Sequence, residues 1–168
     1  LDGSKRLIDG HSICKALNAH LFPEPISIIN AEEVSNDFHA RFGAKTKRYQ
    51  YRILNRAYGA ALDKGRVWWF KKNLDVEKMK KGAEFFIGEH DFTSFRDTEC
   101  QAKNPARTID KLWIETSDLL NGQMIDIFVE AQSFLHHQVR NIAGTLTLVG
   151  EHKWQPEDIK TAFEAKDR

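Results

Sequence analysis

Apolar residues recur at intervals of three and four in four stretches of the chain, which is the spacing of one buried helix face. The first stretch predicts a helix over Asp9–Leu21, ended before Pro23 because proline lacks the amide hydrogen that a helix interior needs. Asp75 is a typical N-cap residue, so a second helix is predicted to follow it. A third helix is predicted from Phe134, and Pro156, at the first helical position, begins a fourth.

Alternating and β-branched patterns predict strands between these helices. Apolar β-branched residues predict a strand beginning at Ile26, and Val67–Phe70 is another short candidate. Thr46–Asn55 alternates cleanly, with its tyrosines on one face and its arginines on the other. Asn121-Gly122 favours a two-residue turn between antiparallel strands, since both residue types tolerate a positive φ. The sum is an α+β fold with a mostly antiparallel sheet flanked by helices.

Composition describes an ordinary globular chain with a core. Its 168 residues include 25 Lys plus Arg, 24 Asp plus Glu and 41% hydrophobic residues. Two cysteines without C-x-x-C spacing favour reduced thiols in the cytoplasm over a disulfide or a structural zinc. No charge-free run approaches the roughly 18 apolar residues of a membrane span. The first residues include no initiator Met and no signal-peptide layout, so we expect the sequence to be part of a longer one.

Positive charge is concentrated locally although the formal net charge is only +1. The stretch from Phe38 to Arg56 contains no acidic residue. Such a patch suits a phosphate backbone, although a solvated basic strand face has the same composition. The basic residues of the stretch are Arg41, Lys45, Lys47, Arg48, Arg52 and Arg56.

Tyr49 and Tyr51 lie among these cations. Aromatic rings flanked by cations stack and hold the splayed bases of single-stranded RNA. Aromatic residues at alternate strand positions are also typical of core packing, and the pattern leaves both interpretations open.

Arg140 is the one charged residue between Ala131 and Gly150. A buried guanidinium needs an anion and further acceptors, so Arg140 is predicted to face a carboxylate or a phosphate. The alternative is that Arg140 lies on a solvated flank of its helix. Gly144, one turn further along, leaves room for close approach of another group.

Several enzyme classes lack support. The chain has no G-x-x-x-x-G-K and no G-x-G-x-x-G, so a nucleotide cofactor is not indicated. His136 and His137 are adjacent, which on a helix points their side chains about 100° apart and disfavours a shared metal ion. His90-Asp91 would suit a metal-dependent hydrolase, but such a pair between a helix and a loop is far more often a turn and cap.

Four segments, quoted in chain order, are DFHARFGAKTKRYQYRILN, IGEHDFTSFR, SFLHHQVRNIAGTLTLVG and AKDR. Together they resemble the tRNA pseudouridine synthase A family. The resemblance implies the pseudouridine synthase fold and an isomerase that converts uridine to pseudouridine at positions 38–40 of the tRNA anticodon stem-loop. It also implies a homodimer, no cofactor, no metal and an aspartate nucleophile.

The resemblance also assigns roles to residues of this chain. Tyr49 matches the active-site tyrosine that packs against the target base and is a candidate acceptor of its C5 proton. Arg140 matches the basic residue that pairs with the nucleophilic aspartate. The residues that it implies for RNA binding are Arg41, Lys47, Arg48 and Arg52.

The sequence departs from the family at the nucleophile. The motif G-R-T-D-x-G-V-H is absent, and Arg107–Asp110 matches it only with an inserted residue on a predicted strand. We therefore expect a fragment, inactive alone. Residues 1–34 are predicted to end the N-terminal half-domain, and residues 35–168 to form most of the C-terminal half-domain without its last strand. The alternative function is a non-catalytic RNA-binding module.

Overall fold

The computed structural model describes residues 8–167, and the chain divides into two units at Gly43. In the first unit, helix α1 (Gly10–Leu21) begins after Asp9, whose carboxylate accepts a hydrogen bond from the Ser12 amide at 2.9 Å. The prediction of this helix is confirmed. The half-domain division after Val34 stays a prediction.

The strand predicted from Ile26 is wrong. Residues 26–34 join no sheet, and Ile29 is 93% exposed. A strand needs a neighbouring strand as the partner for its backbone groups. In the first unit, a side chain of α1 bonds the backbone of this segment instead. The Asn18 amide donates to the carbonyl of Ile28 at 2.8 Å and accepts from its N–H at 2.7 Å.

The second unit contains a four-stranded sheet in the order β2-β1-β6-β5 and a separate pair of strands, β3 and β4. Strand β6 runs antiparallel to both β1 and β5, while β1 and β2 are parallel. The predicted α+β, mostly antiparallel architecture is confirmed. The elements are β1 (Lys47–Arg56), β2 (Trp68–Phe70), α2 (Val76–Glu84), β3 (Gly88–Asp91), a 3-10 helix (Thr93–Phe95), β4 (Ala106–Ile109), β5 (Lys111–Leu119), β6 (Gly122–Ala131), α3 (Gln138–Gly150) and α4 (Asp158–Ala165).

One face of the main sheet forms the core with α2 and α3. Tyr49, Tyr51 and Ile53 of β1 lie opposite β6 residues whose side chains are fully buried. The predicted helical stripe of α3 is buried against this face, and Asp75 caps α2 by accepting from the Lys78 amide at 3.0 Å. The fully buried members of this core include Ile53, Met79, Ile125, Ile127, Val129, Ile142, Leu146 and Val149.

The β5–β6 hairpin differs from its prediction by one residue. Leu119 pairs with Gly122, so Leu120 and Asn121 are the central residues of the turn, and Asn121 has a φ of 59°. Gly122 belongs to strand β6 opposite Arg56, where an added Cβ would collide with the Arg56 side chain. Close approach of two strands therefore explains this glycine better than turn geometry does.

Two helices begin later than predicted. Helix α3 begins at Gln138 and not at Phe134, because His137 has a left-handed φ of 57° and ends a turn that precedes the helix. Helix α4 begins at Asp158, since Pro156 lies in a turn two residues before it. Within residues 8–167, no helix has the length and apolar character needed to cross a bilayer.

Candidate active site

A cavity of about 460 Å³ lies between β1 and the turn that leads into α3. Tyr49, Lys47 and Arg140 all line it, so these three predicted site residues are brought together. The same wall includes His136 and His137, which the sequence did not single out for this site. The remaining lining residues are Gln50, Tyr51, Phe134, Leu135, Gln138 and Val139.

Tyr49 presents an aromatic ring to this cavity. The Phe134 ring lies edge-on to it, with ring centroids 5.1 Å apart at 90°. Tyr49 remains 50% exposed, and its hydroxyl makes no hydrogen bond to any residue in 8–167. A ring braced on one side and open on the other is suited to stacking on a planar ligand.

Arg140 is exposed on α3, as its alternative interpretation held. It makes no ion pair or hydrogen bond with any part of the chain that the structure describes. The desolvation argument for a paired anion therefore does not apply within these residues, and the pairing role of Arg140 stays a prediction. Because it is solvated, its guanidinium is available to a ligand.

A second and larger cavity, of about 830 Å³, shares Tyr51 and Arg140 with the first. Gly144 lies on its wall, and a Cβ added there would meet no atom within 4 Å. The open space predicted beside Gly144 is therefore present. Aromatic side chains, among them Trp68 and Trp154, supply much of the remaining wall.

Arg48 and Arg52 lie on the opposite face of β1 and do not line the Tyr49 cavity. Arg48 forms an ion pair with Glu130, and Arg52 Nε lies 3.0 Å from Asp126 Oδ1. Both carboxylates belong to β6, directly across the ladder. The positive charge of this face is thus offset by carboxylates of the neighbouring strand, and RNA binding by Arg48 and Arg52 stays a prediction.

Arg41 belongs to the first unit, where it is exposed. Its guanidinium carbon lies 5.7 Å from the centroid of the Phe42 ring. This cation–π contact leaves the charge solvated and available to an anion.

His136 and His137 precede α3, so the expected divergence of their side chains on a helix is wrong. Their rings stack with centroids 3.9 Å apart, and His137 Nδ1 lies 2.7 Å from Asp97 Oδ2. The backbone N–H of Glu99, and after it the His137 side chain, lower the pKa of Asp97 to about 2. No sequence pattern signals this arrangement, because it depends on the left-handed conformation of His137.

His90 and Asp91 occupy successive positions of β3, where side chains point to opposite faces. Asp91 accepts hydrogen bonds from the amide of Thr93 at 3.0 Å and from its hydroxyl at 2.6 Å. His90 stacks on Phe163 at 4.6 Å. Asp91 therefore stabilises the turn into the 3-10 helix but is not its N-cap, which is Phe92, and both side chains have structural roles. Arg107, Thr108 and Ile109 of the imperfect motif lie on β4, as predicted.

Comparison with known proteins shows which family the chain matches. A family model described as tRNA pseudouridine synthase matches residues 83–168. The chain is 48% identical over 157 residues to tRNA pseudouridine synthase A of Rhodospirillum rubrum. It is 51% identical over 153 residues to the enzyme of that name from Paramagnetospirillum magneticum, and 50% identical over 160 residues to that of Sinorhizobium fredii.

These three alignments cover 94%, 91% and 94% of this chain but only 55%, 58% and 63% of the relatives. The chain thus spans less than two thirds of their length. The match of the family model, together with the α+β architecture described above, leads to one conclusion: the chain belongs to the tRNA pseudouridine synthase family.

Proposed function

We propose that this chain carries the uridine-holding part of a tRNA pseudouridine synthase active site. One observation carries the proposal: Tyr49 and Arg140, 91 positions apart in the chain, line one cavity of about 460 Å³. A cavity of this size is within the range of small-ligand sites, about 300–1,000 Å³. The reaction is the isomerisation of uridine to pseudouridine at positions 38–40 of the anticodon stem-loop.

The target uridine must leave its stack before it can react. Flipping a nucleotide costs a few kcal/mol, which phosphate contacts and ring stacking offset. Tyr49 supplies the ring, since Phe134 braces one side and half of the tyrosine remains exposed. Lys47 lies on the same wall and is suited to a phosphate of the flipped nucleotide.

The chemistry requires a carboxylate nucleophile beside Arg140. The N1–C1′ bond breaks, the base turns, and a C5–C1′ bond forms. The C5 proton then leaves and N1 takes up a proton, so the atoms balance without a redox partner. Tyr49 is suited to accept the C5 proton because its hydroxyl is uncommitted in residues 8–167. These 168 residues contain no G-R-T-D, and we infer that other polypeptide provides the carboxylate.

RNA binding beyond the cavity is assigned to exposed cations. Arg41 is suited to a phosphate because its charge is solvated. Arg48 and Arg52 are weaker candidates for a phosphate, because each already pairs with a carboxylate of β6, Glu130 or Asp126. A homodimer, which the resemblance implies, and a cytoplasmic location, which the cysteine content favours, stay predictions.

Arg140→Ala tests the proposal in the protein encoded by the complete reading frame. Tritium release from tRNA labelled at C5 of uridine measures turnover, and filter binding measures tRNA affinity. We expect turnover to fall by roughly 100-fold or more, as when a charge-stabilising donor is removed. The Kd for tRNA should stay within about tenfold, or about 1.4 kcal/mol.

Lys80→Ala is the matched control, because Lys80 is an exposed cation on α2 that pairs with the exposed Glu77 and does not line the Tyr49 cavity. Its turnover should stay within a fewfold of the unaltered enzyme. If Arg140→Ala weakens only tRNA binding, the chain is a binding module and not part of a catalytic site. If the 168-residue chain alone releases tritium, the carboxylate is not supplied from elsewhere.

A further inference from the structure

We propose that Asp97, His136 and His137 bind one divalent transition-metal ion of the Zn²⁺ class. One ligand atom from each residue lies within 4.8 Å of the others. Zn–N bonds of about 2.1 Å place the ligands of a tetrahedral ion about 3.4 Å apart. Closing the remaining gap requires the His136 side chain, which is exposed, to rotate towards the other two ligands.

The fold joins the two segments that carry these ligands. The Asp97 amide donates to the His136 carbonyl at 3.1 Å, and the Asn141 side chain donates to the Phe95 carbonyl at 2.9 Å. Both bonds connect the loop after the 3-10 helix with the start of α3. The distance between carboxylate and imidazoles is therefore set by the backbone.

The turn before α3 places the two imidazoles side by side. The side-chain oxygen of Gln138 accepts a hydrogen bond from the Leu135 backbone N–H at 2.7 Å, while the Gln138 backbone N–H donates to the Leu135 carbonyl at 3.1 Å. These two hydrogen bonds close a turn that contains His136 and His137, whose rings stack with centroids 3.9 Å apart. Neighbouring imidazoles on an α-helix would point about 100° apart and would not share an ion.

The donor set selects the class of ion. Two imidazoles and one carboxylate suit Zn²⁺, Co²⁺ or Ni²⁺, whereas Mg²⁺ and Ca²⁺ prefer oxygen ligands alone. An aspartate carboxyl is ionised at neutral pH, so Asp97 offers an anionic oxygen. With neutral imidazoles, the bound site carries one net positive charge.

Access from solvent is open. The side chains of His137 and Asp97 are 37% and 24% exposed, and His136 is exposed. An ion held by three protein ligands keeps a position for water or another oxygen ligand. Because both histidines line the Tyr49 cavity, that position is close to the cavity wall.

The metal site does not depend on the proposed isomerase function. The isomerisation described above routes no step through an ion. Metal binding by the chain itself is therefore a separate measurement, and either proposal fails without affecting the other.

The experiment titrates the tag-free 168-residue chain with Zn²⁺ by calorimetry and with Co²⁺ by visible absorption, at pH 7.5. We expect one ion per chain. His136→Ala, His137→Ala and Asp97→Asn should each weaken binding at least tenfold. His152→Ala is the matched control, since His152 is also exposed and lies 3.8 Å from a carboxylate, that of Asp75. The Kd of the control should stay within twofold.

Three results overturn the site. The first is binding no tighter than millimolar, and the second is Zn²⁺ binding that survives loss of both histidines. The third is loss of binding in Cys100→Ser, because the Cys100 amide bonds the Asp97 carbonyl at 3.0 Å and its thiol is a nearby alternative ligand. If His137→Ala disturbs the fold by circular dichroism, His136→Gln decides, because that side chain is exposed.

Discussion

Gln138 is fully buried at the first position of α3, and only one of its two side-chain polar atoms has a hydrogen-bond partner in residues 8–167. Its carbonyl oxygen accepts the Leu135 amide at 2.7 Å, which holds the turn beside the Tyr49 cavity. Its Nε2 is buried without a hydrogen-bond partner in residues 8–167. Gln138→Ala removes a satisfied acceptor and an unsatisfied donor together.

These two polar changes have opposite effects on the free energy of unfolding. Leaving the Leu135 amide unpaired costs about 1–3 kcal/mol, and removing an unpartnered buried amide returns a similar amount. The cavity left by the side chain therefore decides the result. Truncating a buried side chain of this length to alanine costs about 2–5 kcal/mol, and we expect Gln138→Ala to destabilise the second unit by that amount.

Gln138→Met is the matched control, because it makes the same polar changes but keeps nearly the same volume. Its free energy of unfolding should stay within about 1.5 kcal/mol of the unaltered chain. Urea unfolding followed by tryptophan fluorescence reports on the second unit, which contains Gln138. All four tryptophans, Trp68, Trp69, Trp113 and Trp154, lie in residues 44–168.

With a urea slope of about 2 kcal/mol/M, the midpoint for Gln138→Ala should fall by about 1–2.5 M. Equal destabilisation by alanine and methionine would refute the reasoning, since the hydrogen bond and not the packing would then dominate. If neither variant changed the urea midpoint, the burial of Gln138 would be refuted.

Three further predictions concern the site, acid stability and the hairpin. Tyr49→Phe in the complete enzyme should remove tritium release while tRNA affinity stays within threefold by filter binding, because the ring remains and the hydroxyl does not. The pKa of Asp97 is lowered in the folded state to about 2, so its stabilising contribution is present above about pH 4 and is lost as pH falls towards 2. Thermal unfolding of Asp97→Asn should accordingly change less than that of the unaltered chain between pH 4.5 and 2.5. Gly122→Ala should destabilise the chain by about 1–3 kcal/mol in urea, because the added Cβ collides with Arg56; an unchanged midpoint would contradict this.

Local patterns predicted several elements of the second unit because each pattern depends on neighbouring residues, but they missed β3 and the 3-10 helix. The alternation around Tyr49 and the stripe of α3 required only a period, and both are present in the structure. The Asp75 cap is likewise decided within three residues. The strand expected at Ile26 failed because a strand also needs a partner, which a local pattern does not specify.

Features that depend on distant residues were not predictable in this way. Arg48 finds its carboxylate 82 residues later and Arg52 finds one 74 residues later, so a local count of charge overstated the basic face. His137 adopts a left-handed conformation that no residue type in the turn requires. That one backbone angle moves the start of α3 and brings two histidines to the cavity wall.

The exposure of Arg140 separates its effect on stability from its proposed effect on turnover. An exposed guanidinium keeps its hydration and makes no ion pair within residues 8–167, so the fold gains nothing from its charge. Arg140→Ala should therefore leave the urea midpoint of the 168-residue chain unchanged, within about 0.5 kcal/mol in free energy. Breaking a buried pair would instead cost about 3–5 kcal/mol. A loss of that size would mean that the side chain is already committed to a partner in the fold and is not available to a nucleophilic carboxylate.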